Sequence, residues 1–118
     1  MRFIFLIVIL FFSFDVRAQS FFSTLPDIPL MDGLEEINDQ AFVFDKPQGR
    51  ILVGMASIDS KISDSQAEHY YARVLPQFGW QKMGDKLYAR QNEMLTLEFV
   101  EYDLQNRFEK ALKITVTP

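Results

Sequence analysis

The sequence contains no cysteine and a single histidine, His69. The lack of cysteine excludes disulfide frameworks, thiolate zinc sites, thiol nucleophiles and a lipoprotein anchor. One histidine is too few for a multi-histidine metal site, and nothing around it resembles a catalytic triad. We therefore predict no catalytic residue, no metal site and no cofactor, and we interpret His69 as a solvated structural residue.

Basic residues are also few. Lys and Arg number 12 against 16 Asp and Glu, so the net charge is −4 over 118 residues. The basic residues form no cluster, whereas a nucleic-acid-binding protein presents a basic patch. No phosphate-binding glycine loop, zinc-protease helix or nucleophile-elbow motif occurs. The composition predicts one domain of ordinary size that binds no nucleic acid.

The amino terminus has the pattern of an export signal. Arg2 precedes ten unbroken apolar residues, and Val16 and Ala18 occupy the −3 and −1 positions of a small-residue cleavage site. Ten residues are too few to span a bilayer, which takes about 20 in a helix. We predict that residues 1–18 are a signal peptide and that the exported, periplasmic protein keeps no stable membrane anchor. The alternative is an uncleaved anchor, because charged residues near a cleavage site are unusual.

The rest of the chain divides into two parts. We predict that residues 19–40 form an extended lead segment, because Pro26 and Pro29 disfavour a helix. Its apolar residues predict that the stretch 25–37 lies across the domain surface. For residues 41–118 we predict a single α+β domain. It has an antiparallel sheet of about five strands with one helix packed on a face, in the order β-β-α-β-β-β.

Hydrophobic patterning predicts where the strands lie. Residues 51–58 are apolar at both parities, which predicts a central strand buried on both faces, and Gly54 within it indicates a bulge or a close approach by another element. Residues 95–99 and 112–116 alternate apolar with polar, which is typical of antiparallel sheets. Gly84 interrupts the strand pattern of residues 80–90, which indicates either one bulged strand or two short ones.

The helix has clear start and stop signals. Ser63 and Gln66 have the spacing of a capping box. Pro76 should end or distort the helix near Leu75, and Gly79 supplies a left-handed stop.

Three segments together resemble a known family. They are LPDIPLMDGL (25–34), VFDKPQGRI (43–51), and Tyr70-Tyr71 followed by LPQFGW (75–80). They resemble a family of small exported alphaproteobacterial proteins, typically uncharacterised, with an LPxxPLMxGL lead segment and an LPQxGW helix end. Asp32 stands where that family usually has proline. The resemblance implies periplasmic residence and a shared fold, and it implies no activity, cofactor or catalytic residue.

Aromatic residues are the candidate contacts. Tyr70, Tyr71 and Trp80 could line a small apolar pocket between helix and sheet, or they could be core. Phe21 and Phe22 could contact a membrane or a partner, or they could belong to a frayed terminus.

These observations leave two main hypotheses for function. The first is a non-catalytic interaction or assembly protein of the cell envelope, which contacts an envelope protein through a sheet edge or through the lead segment. The alternative is a small apolar-ligand binding protein that uses the aromatic pocket. An enzyme is the third class, and the sequence lacks the side-chain constellation for it. The sequence does not indicate the oligomeric state.

Overall fold

The computed structural model describes residues 20–118, and the predicted signal peptide lies outside the described residues. Within that range the chain forms seven strands, one α-helix and two short 3₁₀ turns, at Asn38–Gln40 and Leu75–Phe78. The elements in chain order are β1 (Leu34–Glu36), β2 (Phe42–Lys46), β3 (Gly49–Ile58), α1 (Asp64–Val74), β4 (Gln81–Gly84), β5 (Leu87–Arg90), β6 (Glu93–Leu104) and β7 (Arg107–Thr117).

The seven strands form one antiparallel sheet. Six of them follow one another in the order β1-β3-β7-β6-β5-β4, and the seventh, β2, also pairs with β3. Strand β2 pairs with the first half of β3, on the same side as β1. Strand β3 is therefore internal, as predicted, and both of its faces are buried: Leu52 is 5% exposed and its neighbour Val53 is 2% exposed. Side chains of α1 and of the sheet share one apolar core, which places the helix over one face.

The α+β class, the antiparallel sheet and the single helix match the sequence prediction, but the prediction of about five strands in the order β-β-α-β-β-β is wrong. Strand β1 lies in the lead segment and has three residues, too few for alternation to show. Residues 81–90 form the hairpin β4–β5, the second of the two predicted forms. Its pairing register shifts between Lys82 and Gly84.

Helix α1 begins and ends where its signals predict. The Ser63 hydroxyl accepts from the Gln66 amide N–H at 3.1 Å, and the Ser63 amide donates to the Gln66 side chain at 2.8 Å. This reciprocal pair satisfies two N–H groups that the first turn would otherwise leave without partners. Pro76 converts the end of the helix into a 3₁₀ turn, and Gly79 closes that turn with φ of +89°.

The first part of the lead segment, residues 20–31, folds into a closed loop that we call the lead loop. The Leu30 amide donates to the Ser20 carbonyl at 2.7 Å, and the Phe22 amide donates to the Ile28 carbonyl at 3.1 Å. Phe22, Leu25 and Ile28 are at most 1% exposed and belong to the core. The lead loop therefore lies on its own domain, and three of its apolar side chains enter the core.

Gly54 is the point where the lead loop meets the sheet. A Cβ atom at this position would lie 2.7 Å from Leu25 Cδ1 and 2.9 Å from Phe22 Cδ1. Both distances are shorter than van der Waals contact, and the two side chains are fully buried, so neither can move aside. Of the two predicted roles for this glycine, the close approach is the one observed.

We expect Gly54→Ala to destabilise the protein by about 1–3 kcal/mol, because the added methyl group overpacks the contact with the lead loop. The free energy of unfolding from urea titration measures this. Gly84→Ala is the control, since a Cβ there would meet its nearest neighbour, Leu87 Cβ, at 3.6 Å, an ordinary contact. Equal stability of the two variants would contradict the assigned role of Gly54.

Candidate functional site

Tyr71 connects α1 to the lead loop. Its hydroxyl donates to the Pro29 carbonyl at 2.8 Å and accepts from the Met31 amide at 3.4 Å. The side chain has no exposed surface, and burial raises the pKa of Tyr71, which keeps the phenol protonated as a donor. Tyr70 is partly buried and packs edge-to-face on Tyr71, with ring centroids 5.0 Å apart. Both tyrosines therefore pack within the domain.

Trp80 lies beneath a cation. It is 1% exposed, and the Arg90 guanidinium lies 4.2 Å from its ring centroid. Arg90 also forms an ion pair with Asp27 of the lead loop and donates to the Phe78 carbonyl at 3.1 Å. A guanidinium that stacks on an indole and pairs with a carboxylate joins two parts of the chain. Trp80 and Arg90 thus anchor the lead loop at the hairpin β4–β5.

Among the described residues, two buried polar atoms of aromatic side chains have no hydrogen-bond partner: the indole N–H of Trp80 and the hydroxyl of Tyr88. Burial raises the pKa of Tyr88, and the nearby carboxylate of Glu68 raises it further, so this phenol stays neutral. A buried donor without a partner costs on the order of 1–3 kcal/mol. The indole N–H of Trp80 and the hydroxyl of Tyr88 therefore add no polar contact to the core, and these two side chains contribute to it through apolar packing.

The two phenylalanines at the start of the described chain have different surroundings. Phe22 is 1% exposed and packs over Gly54. Phe21 is 39% exposed, and its ring packs edge-to-face on Phe78 at 5.9 Å. The structure therefore places both residues against their own domain. Among the aromatic candidates, these two lie in the lead loop and Tyr71 bonds to it directly.

The described surface includes the following two open concavities. The first, about 490 Å³, is lined by residues that include Gly33, Ser57, Ile58, Asp59, Ile62 and Phe108. The second, about 510 Å³, is lined by Phe78, Gly79, Gln81, Ala89, Arg90 and Gln91. Neither is lined by Tyr70, Tyr71 or Trp80, the residues from which the pocket between helix and sheet was predicted. The structure therefore places these three aromatic residues outside both concavities.

The remaining candidates are polar surface residues. His69 is exposed on α1. Two further carboxylates, Glu98 and Glu101, lie in β6, where the register places them opposite Lys113 and Lys110; the Lys110 ammonium forms an ion pair with Asp64 of α1. Within residues 20–118, no three His, Asp or Glu side chains gather closely enough to hold a metal ion.

None of the helices in the described range combines the length and the apolar character that a bilayer crossing requires.

The feature that sequence reasoning missed is the exposure of β2. Phe42, Val43 and Phe44 are each 53% exposed. The register pairs Val43 with the core residue Leu52, so Val43 points to the helix side of the sheet and the two phenylalanines point to the opposite side. Three consecutive apolar residues normally indicate a strand buried on both faces, so the pattern itself gives no sign of this exposure.

Strand β2 is also an edge of the sheet. In the part of the chain that the structure describes, it pairs with β3 on one side and with no strand on the other. The opposite edge, β4, carries Lys82 and a register irregularity, both of which discourage pairing. The charged residues of β2, Asp45 and Lys46, stand at one end only, so its apolar part is open. This apolar edge, Phe42–Phe44, is the candidate functional site.

Comparison with protein-family models, with curated proteins and with solved structures finds no match for this chain. The resemblance to exported alphaproteobacterial proteins remains a prediction. The geometry of the described residues therefore carries the functional proposal.

We expect Tyr71→Phe to destabilise the protein by about 1–3 kcal/mol, because it removes both hydrogen bonds that join α1 to the lead loop. Urea titration measures the change. Tyr102→Phe is the control and should have a smaller effect, since the hydroxyl of Tyr102 donates only to Glu109, at 3.3 Å on the β6–β7 hairpin.

Tyr71→Phe should also change how the free energy of unfolding depends on pH above pH 10. Folding raises the pKa of Tyr71 above its ordinary value of 10, so its contribution is complete below pH 10 and is lost as the pH rises further. Wild-type stability should fall above pH 10, and the fall should be shallower in Tyr71→Phe. Parallel curves for the two proteins would contradict this role.

We expect Trp80→Ala to cost about 3–5 kcal/mol, as for a large aromatic side chain removed from a core. Met83→Ala, at a position that is 62% exposed in the neighbouring strand, should change stability by less than about 0.5 kcal/mol. Thermal and urea unfolding of both variants test this. A loss below about 1 kcal/mol for Trp80→Ala would be incompatible with a core position.

Proposed function

We propose that this chain is a non-catalytic interaction or assembly protein of the bacterial cell envelope, exported to the periplasm, and that β2 makes its contact with a partner protein. The observation that carries the proposal is the open apolar edge: three consecutive side chains, each half-exposed, on a strand that no strand within residues 20–118 pairs on its outer side. Such an edge is unfavourable to leave exposed to water and offers a template for strand addition.

The geometry of β2 suits strand addition. An added strand gains affinity from main-chain hydrogen bonds, and alternate side chains give specificity. Val43 on one face and Phe42 and Phe44 on the other present apolar contacts to a partner on both sides of the extended sheet. On β3, the strand that pairs with β2, Arg50 provides a polar group, which forms an ion pair with Glu93 of β6 at 3.5 Å.

The lead segment was the other predicted contact surface. Its first part, the lead loop, is committed to the domain by Phe22, Leu25 and Ile28 in the core and by the Arg90–Asp27 ion pair. Releasing it would expose these apolar side chains at about 25 cal/mol per Å². This cost supports β2 rather than the lead loop as the contact surface.

The alternative function, binding of a small apolar ligand between helix and sheet, has less support. Tyr71 and Trp80 are 0% and 1% exposed, and Leu75 and Leu112 are also fully buried in the same core. A ligand in this region would have to displace packed side chains.

A photoreactive residue in β2 tests the proposal in the cell envelope. We expect p-benzoylphenylalanine in place of Phe44 to give one reproducible cross-linked product, with the cross-linked peptide of the partner lying in a strand or an extended segment. The same residue in place of Met83, on the opposite edge, is the matched control and should give none.

Adding Val43→Lys to the Phe44 probe should abolish the product, because a charge on the apolar edge opposes pairing. The melting temperature of this variant verifies folding. Equal yields from the two probe positions, or a product that survives Val43→Lys, would remove β2 as the contact strand. Recovery of the protein from a compartment other than the envelope would remove the cellular part of the proposal.

A further inference from the structure

We infer that the strand that pairs with β2 is β2 of a second copy of this chain, antiparallel, with the two-fold axis at Val43. The inference rests on the proposed function only in taking β2 as the contact strand. It adds the identity of the partner, the pairing register and the symmetry.

The backbone decides which residues of β2 can pair outward. The Met55 carbonyl accepts from the amide of Ile37, just after β1, at 2.8 Å, so the backbone groups of Met55 point to the β1 and β2 side of β3. Because this direction alternates along a strand, Val53 and Ile51 point the same way.

Their partners in the register, Phe42 and Phe44, therefore use their N–H and C=O groups to bond β3. Val43 lies between the two phenylalanines and Asp45 follows them. These two residues direct their N–H and C=O groups away from the sheet. A second antiparallel strand must form its hydrogen-bonded pairs with these two residues.

Of the symmetric registers, the three centred on Val43, Phe44 or Asp45 meet this condition within the strand, whereas a register centred on Phe42 places Phe44 opposite Gln40, outside β2. With the axis at Asp45, two carboxylates stand opposite each other, which is repulsive. With the axis at Phe44, Val43 stands opposite Asp45 of the second copy, and an apolar side chain meets a charge twice. With the axis at Val43, the two Val43 residues face each other and Phe42 stands opposite Phe44 of the second copy.

The register centred on Val43 gives the best contacts. Its two Phe42–Phe44 pairs occupy non-hydrogen-bonded positions, where Cα atoms approach to about 4.5 Å and side chains interact most closely. Aromatic cross-strand pairs are among the favourable ones. The four rings form a continuous row on the sheet face opposite the helix, beside Ile51 and Val53 of each copy.

The charges of the chain are compatible with the register centred on Val43. Each chain carries a net charge of −4, which opposes association in general. The contact strand is locally neutral, because Asp45 and Lys46 balance each other. In the register centred on Val43, Asp45 stands opposite Ala41 of the second copy and no like charges face each other. The edge is therefore complementary to itself.

The absence of cysteine provides a direct test of the register, because any introduced thiol is unique. In exported, full-length protein, we expect Val43→Cys to form a disulfide-linked dimer under mild oxidation. Facing residues in a hydrogen-bonded pair have Cα atoms about 5.5 Å apart, within the range that disulfides span. Phe44→Cys and Met83→Cys are the controls and should link poorly.

Sedimentation equilibrium over a concentration series should show a reversible dimer for the wild-type protein and a monomer for Val43→Lys, with Met83→Lys remaining dimeric. Thermal unfolding verifies that each variant is folded. Efficient linking through Phe44→Cys instead of Val43→Cys would overturn the two-fold axis at Val43.

A wild-type monomer at all concentrations would overturn the dimer. If β2 still cross-linked to a different envelope protein, the proposed function would stand without this inference. If β2 cross-linked to nothing, both would fail.

Discussion

The contact between the lead loop and the sheet at Gly54 is the constraint on which the rest of this structure depends. Because this glycine has no side chain, Phe22 and Leu25 lie directly on the middle of β3 and complete the core above it. The chain has no disulfide to hold the loop, so packing and a few directed polar contacts must do so. Tyr71 and Arg90 supply these contacts from the helix and from β5.

This arrangement determines which surfaces remain available. Two aromatic residues that a ligand site would use hold the lead loop instead. Tyr71 bonds to the backbone of the loop, and Trp80 stacks beneath Arg90, which pairs with Asp27 of the loop. The face of the sheet under the helix is consequently filled. Of the apolar residues that remain exposed, Phe42, Val43 and Phe44 are consecutive and lie at the periphery, in the edge strand β2.

The two edges of the sheet differ in a way that bears on function. Proteins protect edge strands with charges, irregular pairing or short length, since an open edge invites aggregation. Strand β4 has a lysine and a register shift, whereas β2 has an uninterrupted apolar half. When a two-fold axis closes a self-complementary edge, the outer edges of the joined sheet are the β4 strands, which carry the lysine and the register shift.

Local features were readable from the sequence. The capping box at Ser63, the turn forced by Pro76, the doubly buried strand β3 and the alternating strands β6 and β7 each depend on near neighbours in the chain, and each was predicted. The class and the antiparallel sheet follow from them. The three-residue β1 was not predicted, because its short pairing with β3 is long-range and leaves no periodic pattern.

Burial was decided only by the tertiary structure. Phe22 and Leu25 are side chains of the same apolar kind as those of Phe42–Phe44, yet the first two lie in the core and the last three are half-exposed. Apolar composition indicates that burying a segment lowers the free energy of the protein, but it does not indicate which surface will cover the segment. For the lead loop that surface is β3 at Gly54. For β2, the free side of the strand lies at the boundary of the sheet, where the rest of the described fold supplies no cover.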